Sequence, residues 1–183
     1  MTEETLTTLI TDEIRELIGV EGEPFEVGEA VESGAVRRFS QATMDDDPAY
    51  WDQNHAQQTK YGGVIAPPLY PGFVNRRPAG SPDPLDRFKE DPEWDGTTGG
   101  EKPASGGLPP VNLPLRRLLN GGVTAEFFAY AQHGDRITGQ QKYIDITERT
   151  GRTGLMVIIV TETTYTNQDG VLLCKVRNTS LRR

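Results

Sequence analysis

The spacing of apolar side chains divides this chain into stretches of different kind. Leu6, Leu9, Ile10, Ile14, Leu17 and Ile18 recur at intervals of three and four, which predicts an amphipathic helix ending at Gly19. A second helix is predicted from Ser33, a candidate N-cap, through Val36, Phe39 and Thr43. The C-terminal third changes period. Residues 136–147 carry Ile137, Tyr143, Ile144 and Ile146, 155–166 are dense in β-branched side chains, and 171–181 return after the loop Asn167-Gln-Asp-Gly170. These read as strands, the last two joined as a hairpin, with a turn-rich connection at 148–154. At about 3.3 Å per residue the middle strand would reach about 40 Å, long enough to curl around something. Helices early and antiparallel strands late make the fold class α+β.

The middle breaks both periods. Eleven of the thirteen prolines and seven glycines fall between Ala66 and Pro114, so no long helix or central strand fits there. An irregular insertion at about 71–113 is expected, as a surface excursion or as a lid. Tyr70, Phe73, Leu85, Phe88 and Trp94 give it apolar material to pack.

Length and charge narrow the function classes. At 183 residues the chain is read as one domain, 1–183, with one core. A net charge of −8 repels polyphosphate, which argues against nucleic acid as a partner. A lone cysteine, Cys174, cannot close a disulfide within the chain and is expected to be a buried, inert thiol. No apolar run approaches the roughly 18 residues needed to span a bilayer, and the acidic start lacks the basic residues of a secretory signal, so no membrane partner and a cytoplasmic location are expected. With no Gly-x-Gly-x-x-Gly, P-loop or His/Cys ligand set, no flavin, nicotinamide or metal cofactor is expected.

The chemistry concentrates in Phe39-Ser-Gln-Ala-Thr-Met-Asp45-Asp-Asp47-Pro48-Ala-Tyr50-Trp-Asp52 and in Tyr61-Gly62-Gly63-Val-Ile65-Ala66-Pro67-Pro68. Four carboxylates within eight residues repel one another, so some must find donors or hold a raised pKa. The run lacks the sixth-position Gly and closing Glu of a calcium loop. An Asp-x-Asp-Pro turn suits the start of a helix near Pro48, with Asp47 or Asp45 as cap. Asn120-Gly121-Gly122 is either a tight turn or a place where backbone approaches a ligand closely. His55, five residues after Tyr50, would point roughly 140° away from it on a helix. His133 precedes the turn residues Gly134-Asp135, and neither histidine is expected to be catalytic.

These residues resemble the MaoC-like hot-dog acyl dehydratases and enoyl-CoA hydratases. The family spacing Asp-x-Asn-Pro-x-His, small residue, aromatic and Gly-x-Ile-Ala-His-Gly falls on Asp45, Asp47, Pro48, Tyr50, Ala56, Tyr61 and Gly63-Val-Ile65-Ala66-Pro67-Pro68. The FAS1-like dehydratase, or MaoC N-terminal, branch is the nearer likeness, since it accepts Tyr for His, has Ala-Pro-Pro, and includes Asn-Gly-Gly, here Asn120-Gly121-Gly122, ahead of a strand. The resemblance implies a hot-dog fold, an antiparallel sheet wrapped around a long helix. It further implies a substrate that is an acyl thioester of coenzyme A or of an acyl carrier, with no other cofactor. Asp45 and Tyr50 become remnants of the catalytic pair, and Tyr61, Gly62, Gly63, Ile65, Ala66, Asn120, Gly121 and Gly122 become substrate-binding positions. Lys60, Arg76, Arg77, Arg116 and Arg117 are candidates for the coenzyme A phosphates.

Two departures carry weight. A phenol of pKa about 10 is protonated at neutral pH and donates, whereas the family's imidazole exchanges a proton there. Pro67 and Pro68 have no N–H and cannot polarise a thioester carbonyl. The expectation is a subunit of an enoyl-thioester hydratase or dehydratase that shapes the acyl pocket while a hot-dog partner supplies the intact Asp and His. The alternatives are a self-sufficient homo-oligomer paired with a second copy of itself, and a non-enzymatic acyl-thioester binding protein. Each version calls for an oligomer, because a lone unit leaves a sheet edge open.

Overall fold

The computed structural model of the chain describes residues 8–73, 80, 82–93, 107–115, 117–151 and 154–183. Its frame is one antiparallel sheet of five strands in the order β1-β3-β4-β5-β2. The strands are β1 (Phe25–Glu26), β2 (Leu118–Phe127), β3 (Ile137–Gly151), β4 (Gly154–Asn167) and β5 (Leu172–Arg182). The sequence places β4 and β5 within a residue or so of their observed ends. Strand β3 runs on to Gly151, past the expected stop at Thr147, because Arg149↔Met156 and Thr150↔Leu155 keep the ladder with β4 going. The hairpin loop behaves as its residues dictate: Asn167 Oδ1 accepts from the N–H groups of Asp169 and Val171, and Gly170 takes φ 76°.

Two buried clusters hold the sheet to the rest. One joins Val27, Val31, Val36, Ala49, Tyr50, Ile65, Ala66 and Tyr70 to Tyr165, Leu173, Cys174 and Val176. The other packs Ile10, Ile14, Leu108 and Val111 on Tyr143, Ile146, Val157 and Ile159. Cys174 is 1% exposed and burial pushes its thiol up to about 11, as expected of an inert core cysteine. At the centre of the sheet Glu162 of β4 pairs with Arg177 of β5 at 2.6 Å, with Lys175 at 3.8 Å.

The helices are short: α1 (Asp12–Glu16), α2 (Ser33–Thr43), α3 (Gln53–Gln58), α4 (Tyr70–Phe73) and α5 (Arg87–Glu90), with 3₁₀ turns at Pro48–Tyr50 and Pro84–Asp86. The longest of the described helices is therefore α2, of eleven residues. Helix α1 is one turn capped by Thr11, shorter than the predicted span; Leu6 lies outside the described residues. It stops because Gly19, at φ 90°, turns its N–H to the Tyr143 carbonyl. The N-cap of α2 is Glu32 and not Ser33, which is the first helical residue.

The insertion returns to the core: Leu108 is fully buried, and Val111 is 9% exposed. Its described middle stands outside, with Leu85 and Phe88 exposed; Trp94 lies outside the described residues.

Candidate functional site

Helix α2 ends on an unusual residue. Met44 occupies the left-handed C-cap position at φ 55° and is 90% exposed, a conformation that costs an ordinary side chain about 1–2 kcal/mol relative to glycine. The Asp45 N–H closes the helix on the Ser40 carbonyl at 2.9 Å.

The acid run then resolves into caps. Asp45 accepts from Asp47 N–H at 3.3 Å, and Asp47 accepts from Ala49 N–H at 2.9 Å with Pro48 at the first helical position. Asp52 accepts from Asn54 and His55 N–H at the start of α3. Among the described residues no group of three or more His, Cys, Asp or Glu side chains could hold a metal.

These caps seat Tyr50 in the core with 9% of its surface exposed. Burial first, then the negative charges of Asp45 and Asp47, push its phenol up to about 12. Its hydroxyl has no hydrogen-bond partner among the described residues. A group this far from neutrality keeps its proton and donates; it cannot take one from water at pH 7.

The segment after α3 is tied down through its backbone. Ile65 N–H donates to Ala49 O at 3.2 Å and Ala66 N–H to Ala131 O at 2.7 Å, so the motif and the 128–132 segment close on each other. Ile65 and Ala66 are 3% and 1% exposed, and their N–H groups are already committed to Ala49 and Ala131. Gly62 takes φ 69°, and a Cβ on Gly62 or Gly63 would meet nothing within 4 Å. Tyr61 stacks edge-on against Tyr130 at 5.2 Å, with Lys60 Nζ 5.1 Å from its ring centre. Burial and the neighbouring Tyr61 raise the Tyr130 phenol as well.

Asn120, Gly121 and Gly122 are elsewhere. They lie inside β2 and form a bulge, not a tight turn, because Asn120 pairs with Ser180 and Gly122 with Thr179. A Cβ on Gly121 would stand 2.8 Å from Thr179 Cγ2, so the glycine there serves the fit of two strands. They line neither of the two clefts at the motif. Arg76, Arg77 and Arg116 lie outside the described residues.

Two clefts flank the motif and share Arg37 and Trp51. One, of about 530 Å³, is lined by Ser40, Gln41, Met44, Asp45 and Asp46. The other, of about 420 Å³, is lined by Ser33, Gly34, Tyr50, Gln53, Val64 and His133. The structure thus gathers Asp45, Tyr50 and Tyr61 and leaves out the Asn-Gly-Gly run. It also adds Arg37 and Tyr130, which the sequence reading passed over, and His133, which it weighed and set aside as a catalytic group. Only the joining of the motif to the 128–134 segment reveals the last two, and the one advance signal was the turn-forming Gly134-Asp135.

A five-stranded antiparallel sheet with short helices, an acid-Pro-Tyr turn and an Ile-Ala-Pro-Pro segment bonded to the 128–132 stretch is a hot-dog fold of the MaoC-like kind. The family described as "FAS1-like, dehydratase domain region" matches residues 16–176, and the chain belongs to it. A UPF0336 protein of Thermobifida fusca (strain YX) is 27% identical over 129 residues, covering 70% of this chain and 67% of that protein. Among solved structures, the ChsH1-ChsH2 complex from Mycobacterium tuberculosis superposes with a TM-score of 0.64 at 14% identity, covering 88% of this chain and 83% of that one. A MaoC-like dehydratase from Rhodospirillum rubrum gives 0.58 at 16% identity, covering 91% and 93%. These structures share the fold; among the described residues of this chain no helix is long and apolar enough to cross a membrane.

Proposed function

We propose that this chain is the non-catalytic half of a two-subunit enoyl-thioester hydratase or dehydratase. It completes the acyl pocket beside a hot-dog partner that carries the intact Asp and His. The substrate is an acyl thioester of coenzyme A or of a carrier protein, with no further cofactor.

The observation that carries this reading is Tyr50: at the family's histidine position stands a buried phenol raised to about 12, which holds a proton that the reaction needs moved. The open edge of the sheet supports it. Among the described residues strand β2 has only β5 beside it, and it exposes the apolar side chains Leu118, Leu119, Val123 and Phe127, an edge suited to another chain. A complex named for two different chains is among the proteins that share the fold.

A second reading, a self-sufficient homo-oligomer, is favoured by one observation: His133 lines the same cleft as Tyr50. One experiment separates the two. The purified chain is assayed with crotonyl-CoA and longer enoyl-CoAs, alone and mixed with a hot-dog chain bearing Asp-x-Asn-Pro-x-His. Turnover by the mixture only is expected. Turnover by the chain alone, lost in His133→Gln, would establish the second reading and remove the first.

A further inference from the structure

The cleft of about 530 Å³ follows one face of α2. Arg37, Ser40, Gln41 and Met44 line it with helical spacing, so at about 1.5 Å per residue it runs about 10 Å toward the C-terminal end of the helix. Asp45, Asp46 and Trp51 complete the lining. Trp51 is 58% exposed, and its Nε1 donates to the Asp46 carbonyl at 3.3 Å, which ties the indole to the acidic end. Met44 keeps a left-handed φ of 55° that glycine would take without strain, and so brings a thioether chain to the lining.

Ser40 gives an independent sign of a ligand. It is 5% exposed, and among the described residues its Oγ is the one buried side-chain polar atom without a hydrogen-bond partner. A serine inside a helix can return its hydroxyl to the carbonyl four residues back, but Ser40 makes no such bond. A polar partner is missing at the cleft wall.

The charge at that end is uncompensated as well. Helix α2 has no basic residue in its last turn, where the helix dipole is negative, and Asp45 and Asp46 follow at once. Asp45, Asp47 and Asp52 each accept a backbone N–H. The Asp46 carboxylate has no hydrogen bond and no ion pair among the described residues. Arg37 stands at the other end and donates to Gln41 Oε1 at 3.1 Å.

We propose that this cleft binds a small molecule through a primary alkylammonium group, held by the Asp46 carboxylate and Ser40 Oγ, with its alkyl stem on Met44 and Trp51. An ammonium has three donors for these acceptors, and the Trp51 ring face adds cation–π attraction. The volume is that of a small-ligand pocket. The site is independent of the hydratase reading, whose weight falls on Tyr50.

The test is an amide-resolved NMR titration of the full chain at neutral pH with n-butylamine, with Nα-acetyl-lysinamide and with n-butanol, at matched ionic strength. Saturable shifts at the Trp51 indole N–H and at the Ser40, Met44 and Asp46 amides are expected with n-butylamine, and about tenfold weaker binding with n-butanol. Asp46→Asn is expected to weaken binding about fivefold, and Ser40→Ala and Trp51→Leu about threefold each. Ser40→Ala removes only an unpaired hydroxyl from the interior, so its fold is retained. Met44→Gly separates binding from folding: it relieves the left-handed φ and raises the denaturation midpoint, while binding falls about twofold. Glu21→Gln, whose carboxylate pairs with Lys142 at 3.1 Å, leaves binding unchanged. The proposal is overturned by the absence of a saturable shift, by n-butanol binding as tightly as the amine, or by a titration that both Asp46→Asn and Ser40→Ala leave unmoved. Tighter binding of Nα-acetyl-lysinamide than of n-butylamine overturns it too, since the occupant would then be a lysine of another protein.

Discussion

The sheet and the acid motif are held together by different physics. Strands β3, β4 and β5 cross-brace one another over eleven to fifteen residues each, and their inward side chains fill both cores. After the eleven-residue α2, the motif from Asp45 to Ala66 is built of short pieces, with Asp47 on Ala49 N–H and Asp52 on Asn54 and His55 N–H, tied to the rest by the Ile65 and Ala66 backbone bonds. The sheet's stability is shared among many contacts, and the motif's geometry hangs on few. Opening the motif locally costs less than unfolding the sheet, which is the distribution expected where a chain receives a ligand or a partner.

The strongest break in that contrast is in the sheet. Leu173 is 1% exposed on β5, and its carbonyl accepts from both Phe128 and Ala129 N–H. Leu173→Ala is expected to cost about 2–5 kcal/mol, read as a cooperative loss in chemical denaturation with the motif and the sheet failing together. Asp47→Ala should behave otherwise. Losing the cap on Ala49 N–H is expected to cost about 0.5–2 kcal/mol and to speed amide exchange at Ala49, Tyr50 and Trp51 while β4 stays protected. Exchange that rises equally across β4 would make the motif part of the sheet's cooperative unit and erase the distinction.

Tyr50→Phe is smaller still at neutral pH, within about 0.5 kcal/mol, because the hydroxyl it removes has no partner. The effect grows in alkali. A phenol raised from 10.0 to about 12 in the folded chain contributes stability that is fully present below the unfolded value and is lost as pH rises through about 12. Denaturation midpoints of the wild type should therefore fall more steeply above pH 10 than those of Tyr50→Phe. Parallel curves would mean that the phenol is not held protonated by burial and by Asp45 and Asp47.

How much of this was legible in the sequence follows the same division. The sheet was readable because its signals are dense and local: β-branched runs, and Asn167-Gln-Asp-Gly170, whose side-chain and φ requirements leave little choice. The caps were readable too, since Asp47 before Pro48 meets a stereochemical demand of the turn. The spacing around Tyr50 disclosed the family. Hidden were the features that depend on distant pairing. Asn120-Gly121-Gly122 looks like a turn, but Gly121 is required by Thr179, 58 positions later, across a strand pair. Tyr130 and His133 reach the site only because Ala66 N–H bonds to Ala131, and Glu32 displaced Ser33 as N-cap because Ser33 itself is helical.

The smallest expected change in stability tests the largest functional claim. Val123 sits on β2 at 54% exposure opposite Asn178, with no strand of the described residues on its outer side, so Val123→Lys should leave the unfolding free energy of the single chain within about 0.5 kcal/mol. A charge on an edge strand is a standard obstacle to edge pairing. If β2 is the seam to a second hot-dog chain, sedimentation at micromolar concentration should show an oligomer for the wild type and a monomer for the variant. Hydratase activity reconstituted with the partner should fall with it. The outer edge at β1 supplies the control. That strand is two residues long, and the isolated bridge from Glu21 to Lys142 lies beside it, so Glu26→Lys there should change neither assembly nor activity. Assembly that survives Val123→Lys and fails with Glu26→Lys would move the seam to the opposite side of the sheet. The partner would then approach Phe25 and Gly139, whose absent Cβ leaves room for the Phe25 ring, and the motif's Tyr50 would face a different neighbour.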